Sequence, residues 1–288
     1  MARAFSDRIL NRRQLWWDPP WPWRGRSLAD AFHRLTERRA FRRREDPDEA
    51  WRCCAAWPRT LVNKWNGREF AAKHGGDLPA LYWSGSDHAA APLDSLPSEF
   101  VIRPVFGAMK SGVAVVAQGK ELLYGRSASA SDLRRRLAPS GLRRRPAPIL
   151  IEELIKTEGD RVALPLECKL HTFADHVAAV EMIERFAALE GKHRYYTPEW
   201  EPIPDAINTF LPEDERIRPP PPGLERMLEL ASRIGGQLGT YMRIDFFVAE
   251  RGPVFNEFST VPLLGRRYTD YAEESFGALW EQHCPDAV

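Results

Sequence analysis

Two acidic residues lie in neighbouring apolar runs near the C-terminal end of the chain, and they restrict its fold more than any other feature. Asp245 lies in residues 241–248, Tyr-Met-Arg-Ile-Asp-Phe-Phe-Val, and Glu257 lies in residues 254–260, Val-Phe-Asn-Glu-Phe-Ser-Thr. Such runs are typical of buried strands, and the Gly-Pro between them indicates a turn. A buried carboxylate without a partner is costly. The pattern therefore predicts two adjacent strands that turn both carboxylates toward one divalent cation.

Arg243 offers a second explanation for the first acid. Residues two apart on a strand share a face, so Arg243 and Asp245 could form a plain salt bridge. Glu257 poses the same problem on the next strand. Two such acids favour Mg2+ over coincidence if a phosphate-binding site lies beside them.

A glycine-bearing loop upstream is the candidate phosphate site. Arg103 ends an apolar run, and the loop that follows, bounded by Gly107 and Gly112, contains Lys110 and Ser111. Backbone N–H groups and the Ser111 hydroxyl could close over a triphosphate, while Lys110 or Arg103 neutralises its charge. Glycines also occur in ordinary hairpins, so the loop alone leaves both interpretations open.

Two further runs could complete a nucleotide cleft. In residues 149–155, Ile-Leu-Ile-Glu-Glu-Leu-Ile, the last backbone groups could hold adenine in an apolar slot, although a buried strand with an ordinary exit is the simpler explanation. Lys169 and His171 alternate in a predicted strand, so their side chains share a face. If that face lines the cleft, Lys169 could meet a phosphate or a substrate carboxylate. A lone histidine is more often structural, and we favour that role for His171.

The composition excludes several classes of partner. The 288 residues carry a net charge of +1 and are 43% hydrophobic, which allows a large core and gives no field to attract nucleic acid. No apolar run approaches the roughly 18 to 20 residues of a membrane span, and the N-terminus lacks the apolar core of a signal peptide. The four cysteines show no C-x-x-C spacing, so neither zinc nor a disulfide framework is predicted. We expect a cytoplasmic protein without stable membrane insertion.

Changes in composition predict four segments. Residues 1–58 are an Arg- and Trp-rich extension, in which a helix over 28–35 is predicted to pack rather than to touch a membrane surface or an anionic acceptor. Residues 59–99 are an α/β preamble, residues 100–155 a small lobe with the phosphate loop, and residues 156–288 a larger lobe with the metal site. Helical signals also predict a helix ending at 75 and helices over 131–137 and 224–235, and they leave 178–189 as helix or strand.

The order of these cationic, glycine-bearing, hinge and acidic motifs resembles that of the ATP-grasp superfamily, most closely its TupA-like group, over residues 59–280. The motifs are, in chain order, Lys64, Arg103-Pro-x-x-Gly107-x-x-x-Ser111-Gly112, residues 151–155, Arg243-x-Asp245 and Glu257-x-Ser259. The resemblance implies an α+β fold in which two lobes hold ATP between them. It also implies a ligase that joins a carboxylate to an amine through an acylphosphate, in cell-surface polymer or secondary-metabolite biosynthesis.

The resemblance assigns roles by position. Phosphate and loop contacts are implied for Lys64, Arg103, Gly107, Lys110, Ser111 and Gly112, and adenine contacts for Glu152, Glu153, Leu154 and Ile155. Mg2+ binding is implied for Asp245, Glu257 and Ser259. Arg243 would steady the transferring phosphoryl group, and Lys169 is our second catalytic candidate. The substrates would be small-molecule or peptide carboxylates and amines.

Three departures from the family pattern bear on these roles. The strand cation is usually Lys and here is Arg103, which keeps the charge but changes the geometry. The second metal-site residue is usually Asn and here is Ser259, a weaker oxygen ligand; Asn256 is expected to point to the opposite face of its strand. The Arg- and Trp-rich extension replaces a regular N-terminal domain. A phosphotransferase acting on a hydroxyl and a non-catalytic nucleotide-binding relative are the alternatives.

Overall fold

The computed structural model describes residues 40–52, 57–106, 110, 112–137, 147–157, 163–265 and 267–285. The predicted helix over 28–35 lies outside these residues, as do Gly107 and Ser111 of the phosphate loop. The described strands form two antiparallel sheets.

The first sheet contains the strands of the small lobe and one strand of the segment predicted as a preamble. Its strands are β1 (Leu81–Gly85), β2 (Glu99–Pro104), β3 (Ala114–Ala117), β4 (Lys120–Glu121), β5 (Arg126–Ser127) and β6 (Ile149–Glu152). Their spatial order is β1-β6-β2-β3-β4-β5, so the hinge strand β6 pairs directly with β2, which carries Arg103. The hinge and the strand before the phosphate loop are therefore neighbours.

The second sheet carries the predicted metal-site acids. Its strands are β7 (Glu167–Phe173), β8 (His176–Arg185), β9 (Gly191–Tyr196), β10 (Tyr241–Ala249) and β11 (Gly252–Ser259). Their order is β11-β10-β7-β8-β9. The prediction of two adjacent strands at the C-terminal end is confirmed, and residues 178–189, left open between helix and strand, mostly belong to β8.

Five helices lie within the described residues: α1 (Asp48–Trp51), α2 (Lys64–Lys73), α3 (Ala130–Leu137), α4 (Leu224–Leu238) and α5 (Asp270–His283). Asn63 caps α2, because its side chain accepts hydrogen bonds from the N–H groups of Trp65 and Asn66. This cap fixes Lys64 at the first position of the helix. The predicted helices near 75, 131–137 and 224–235 correspond to α2, α3 and α4.

Helix α4 packs closely on one face of the second sheet. A Cβ atom built on Gly235 would lie 2.0 Å from the carbonyl oxygen of Ala174 in the β7–β8 turn, so the approach requires glycine. The even-numbered residues of β7 and β10, such as Leu170, Ile244 and Phe246, form the core beneath this helix. The odd-numbered residues of the same strands face the other side.

The architecture is α+β with two sheets in separate lobes, as the sequence predicts. No described helix combines the length and the apolar character needed to cross a membrane.

Candidate active site

Two adjoining cavities lie beside the second sheet. The hinge chamber, about 120 Å³, is bounded by the end of β6, by β2 and by β11. The distal chamber, about 240 Å³, is bounded by β8, by residues 59–64 and by residues 257–263. Four side chains line both chambers and mark their junction: Lys64, Lys110, Lys169 and Glu257. The candidate site therefore consists of two chambers that share three cationic side chains and one acidic side chain.

Lys64 and Glu257 form one side of the junction. The Nζ atom of Lys64 lies 3.1 Å from Oε2 of Glu257, whose side chain keeps 32% of its surface exposed. Burial alone would raise the pKa of Glu257, but the charge of Lys64, with those of Lys169 and Arg243, lowers it to about 2. The carboxylate is therefore ionised at neutral pH and open to both chambers.

Glu167 forms the opposite side of the junction and was missed at the sequence level. Its Oε1 atom lies 3.1 Å from Nζ of Lys110 and 2.7 Å from Nε of Arg185, and its Oε2 atom lies 3.2 Å from Nζ of Lys169. Burial would raise the pKa of Glu167, but these three cations hold it well below its usual range. The alternation of Glu167 with Lys169 along the strand was the available signal. Through Lys110, Glu167 links the small lobe to the large one.

Asp245 adopts the salt bridge that was the alternative to metal binding. Arg243 donates from Nε to Oδ1 at 2.7 Å and from Nη2 to Oδ2 at 2.8 Å, and Nζ of Lys169 lies 3.4 Å from Oδ2. Asp245 is fully buried and is not among the described residues lining either chamber. It pairs directly with Glu257 across β10 and β11. Asp245 thus lies behind the junction, and Glu257 lies at its surface.

The prediction that Asn256 points away from the site is wrong. The pairing of β10 with β11 shifts by one residue after Asp245, and the resulting bulge leaves Asn256 without a partner in the register. Both Asn256 and Glu257 then line the hinge chamber. Nη1 of Arg103 donates to Oδ1 of Asn256 at 2.9 Å and to its carbonyl oxygen at 3.1 Å.

Arg103 and Glu152 are tied to each other. Nε of Arg103 donates to one oxygen of Glu152, and Nη1 of Arg68, on α2, binds the other. Arg103 and Glu152 line the hinge chamber and are almost fully buried. The Glu152 carboxylate therefore fixes two cations, and Arg68 is a further site residue that sequence reasoning missed.

The phosphate loop is described in part. Lys110 has a φ of 57° and Gly112 a φ of 75°, which is the left-handed region that glycine adopts without strain. A Cβ atom on Gly112 would also lie 2.8 Å from Cγ of Pro104. Gly107 and Ser111 lie outside the described residues, so their roles stay predictions.

The hinge residues line the cavity that the sequence predicts for adenine. Glu153, Leu154 and Ile155 all border the hinge chamber, with the last two buried. The Glu153 carboxylate accepts two hydrogen bonds from Arg251, at 2.8 and 2.9 Å, and its backbone N–H donates to Ala80 at 2.9 Å. The hinge is thus tied to both lobes while its apolar side chains face the chamber.

Ser259 and His171 lie apart from the junction. Ser259 lines the distal chamber beside Arg243, its partner across β10 and β11, and is not among the described residues of the hinge chamber. His171 borders neither chamber among the described residues; its Nδ1 atom lies 2.9 Å from the hydroxyl of Tyr241. Burial, with the charge of Arg243, lowers the pKa of His171 to about 3. These surroundings agree with a structural role for His171.

The donor set fits Mg2+ if a nucleotide supplies further ligands. Within the described residues, no cluster of three His, Cys, Asp or Glu side chains could hold a metal ion by itself. Mg2+ commonly uses one or two carboxylates together with substrate phosphates. Glu257 offers an ionised oxygen at the junction, with Asp245 directly across the strand pair.

Comparison with known proteins agrees with the motif order. A family model described as TupA-like ATPgrasp matches residues 57–279. No curated protein matches the chain.

Solved structures that resemble the chain are ATP-grasp ligases. D-alanine–D-alanine ligase from Bacillus anthracis, complexed with ATP, is 16% identical with a TM-score of 0.48, over 79% of this chain and 64% of that one. The ligase PsnB, complexed with a precursor variant, Mg and ADP, is 14% identical with a TM-score of 0.45, over 78% of this chain and 60% of that one. A RiPP-associated ligase from Chryseobacterium gregarium is 13% identical with a TM-score of 0.45, over 80% and 61%. The chain therefore spans less than two thirds of each.

Proposed function

Because the chain belongs to the TupA-like ATP-grasp family, we propose that it is an ATP-dependent carboxylate–amine ligase that works through an acylphosphate. The observation that carries the proposal is the pair of chambers that share Lys64, Lys110, Lys169 and Glu257. A ligase of this kind needs one space for the nucleotide and one for the substrates, joined where the phosphoryl group is transferred. The junction of the two chambers supplies that arrangement.

In the proposed complex, ATP occupies the hinge chamber. Leu154 and Ile155 would contact adenine, and the triphosphate would run toward the three lysines of the junction. Lysine and arginine charges stabilise the negative charge that spreads over phosphoryl oxygens during transfer. This chain's Arg103 is fixed by Glu152 and Asn256, so it would present a preset cation rather than a flexible one.

The distal chamber would hold the carboxylate and the amine. An oxygen of the carboxylate attacks the γ-phosphorus, and ADP leaves. The amine nitrogen then attacks the acyl carbon, loses a proton and displaces phosphate. Lys169 and Arg243 line this chamber next to the junction and would orient the carboxylate and steady the transferred phosphoryl group. Exclusion of water matters because water would otherwise destroy the acylphosphate.

Glu257 and Asp245 are the residues we propose to hold Mg2+, with Ser259, which lines the distal chamber, as a further oxygen. When bound, Mg2+ neutralises charge on the phosphate oxygens. Arg243 neutralises the charge of Asp245. The net charge that Asp245 and Glu257 present to the ion therefore depends on Arg243.

Phosphotransfer to a hydroxyl is the alternative function for the same cleft, and we favour it less. Transfer to a hydroxyl calls for a general base beside the acceptor. Among the described residues of the distal chamber there is no histidine. Of the two carboxylates there, Glu257 has its pKa lowered to about 2 by Lys64 and other cations. Glu181 has its pKa lowered by a hydrogen bond from His193 against the opposing effect of burial, and both are weak bases. We therefore favour the ligase, acting on small-molecule or peptide substrates in the cytoplasm, in cell-surface polymer or secondary-metabolite assembly.

Product analysis tests the proposal. The purified protein is incubated with ATP, Mg2+ and pooled amino acids or carboxylic acids, with and without pooled amines, and ADP, phosphate and organic products are measured. We expect ADP and phosphate in equal amounts, with an amide, when a carboxylate and an amine are both present. A stable phosphoester would support the kinase instead, and failure to bind ATP would refute both.

A further inference from the structure

The distal chamber has an acid of its own. Of its described lining residues, Glu257 and Glu181 are acidic, and only Glu181 is not shared with the hinge chamber. The cations around it include Arg59, Lys169 and Arg243. Glu181 lies among these positive charges, and burial of a carboxylate is costly unless it is paired.

Glu181 is held in place as an anion. Nδ1 of His193 lies 2.7 Å from its Oε1 atom, and Tyr195, its partner across β8 and β9, also forms a hydrogen bond with it. Burial would raise the pKa of Glu181, but the bond from His193 and the charge of Lys169 lower it. The carboxylate thus stays ionised, with its orientation fixed from the side of β9.

Its position suits the second substrate rather than the nucleotide. Glu181 pairs with Lys169 across β7 and β8, and Lys169 in turn pairs with Asp245. Adjacent strands lie about 4.8 Å apart, so Glu181 is one strand beyond the junction, on the side away from Glu257. A nucleophile bound there would face a carboxylate that is activated at the junction.

Part of the chamber wall is apolar. Aromatic and aliphatic side chains form its walls: Phe106, Ile183, Leu189, Phe210 and Leu263. An ammonium group on an apolar carbon skeleton matches the Glu181 carboxylate together with these apolar side chains.

We propose that Glu181 binds the ammonium group of the amine substrate, and that this substrate is a primary amine with an apolar body. The assignment rests on the proposed ligase function, in which the amine enters through the distal chamber. Glu181 orients the amine and selects for a cation; its weak basicity leaves proton removal to another acceptor.

The test is calorimetric titration of the full chain with phenethylammonium chloride and with 2-phenylethanol, its neutral counterpart. We expect the wild type to bind the ammonium compound at least about tenfold more tightly, as a hydrogen-bonded charge pair provides. In Glu181→Gln this preference should disappear. The matched control is Glu184→Gln, on the same strand but bound to Arg216 and Arg218, which should keep the preference.

A separate titration with AMP-PNP and Mg2+ distinguishes this proposal from the proposed function. Normal AMP-PNP binding by Glu181→Gln shows that the variant is folded and that the nucleotide site is intact. If the wild type does not bind AMP-PNP, the proposed ligase function is refuted. If the wild type binds the two phenethyl compounds with equal affinity, the proposed role of Glu181 is overturned.

A second variant covers the case in which Glu181→Gln does not fold. Leu189 lines the distal chamber but is 63% exposed, so Leu189→Lys should fold. The lost apolar contact should weaken both compounds, and the added charge should weaken phenethylammonium binding about threefold or more beyond the effect on 2-phenylethanol. Equal effects on both compounds, or an ammonium preference that survives in folded Glu181→Gln, would contradict the proposal.

Discussion

The two faces of the second sheet carry opposite chemistry on the same strands. On the face beneath α4, Leu170, Ile244 and Phe246 are buried among apolar neighbours. On the other face, Lys169 and Asp245 are just as buried, yet they take part in a network of ion pairs. Burial alone therefore does not separate core from site in this sheet; the alternation of residue type along each strand does.

This difference teaches how the protein combines stability with function. Apolar burial stabilises the fold roughly in proportion to the area removed from water. Buried charges add little net stability even when well paired, and here they border cavities on the junction side. We infer that the even-numbered face supports the fold and that the charged odd-numbered residues at the junction form the proposed site.

Asp245→Asn should have the largest effect, because it removes a fully buried charge from the odd-numbered face of the sheet. The substitution removes the buried counter-charge of Arg243 and one of the two that Lys169 contacts, and breaking a buried pair typically costs about 3–5 kcal/mol. We also expect turnover to fall by about a thousandfold. Urea denaturation and ATP turnover measure the two effects. A variant with normal activity would refute the metal assignment.

Phe246→Ala and Phe247→Ala compare the two faces at adjacent positions. Phe246 is fully buried beneath α4, whereas Phe247 is partly exposed and lines the hinge chamber. Phe246→Ala should lower the free energy of unfolding by about 3–5 kcal/mol with AMP-PNP affinity unchanged at a temperature where the variant is folded. Phe247→Ala should show a smaller loss of stability and weaker AMP-PNP binding. The reverse pattern would contradict our division of the faces.

Glu257→Gln tests the comparison of the two faces at a charged residue of the junction that is partly exposed. The amide cannot provide the charge that Lys64 and a divalent ion require, so we expect turnover to fall about 100- to 1,000-fold. Because a third of the side chain is exposed, stability should change by less than about 1 kcal/mol. A large loss of stability with normal turnover would make Glu257 a structural residue.

His171 should make the stability of the fold depend on pH below about pH 6.5. Its pKa is lowered to about 3 in the folded protein, whereas the unfolded chain binds the proton near pH 6.5. Between these values the unfolded state binds more protons, so stability falls as the pH drops, by up to about 1.4 kcal/mol per pH unit. Replacement by Phe should remove this slope, which denaturation at several pH values measures. Equal slopes in both proteins would show that His171 is protonated in the fold.

Much of this arrangement could be predicted from local sequence. The apolar runs at 241–248 and 254–260 predicted two adjacent strands with one acid on each, and helical periodicity predicted α4. The membership in the ATP-grasp superfamily, inferred from motif order, is confirmed by the family match.

Other features depend on contacts between distant segments and could not be read locally. Glu167 gains its role from Lys110 and Arg185, which reach it from another lobe and from another strand. The bulge at Asn256 is a one-residue shift in pairing that no local pattern specifies.

Helix α5 was not predicted, although the sequence carried a signal for it, since Ala272, Phe276 and Trp280 recur at helical spacing.

The central claim is that the two chambers meet where a nucleotide transfers its phosphoryl group. A crystal structure with AMP-PNP and Mg2+ tests it most directly. We predict adenine beside Leu154 and Ile155, and the γ-phosphate among Lys64, Lys110 and Lys169 with the metal at Glu257. A nucleotide bound elsewhere, or a γ-phosphate directed away from Glu257 and the distal chamber, would contradict the account.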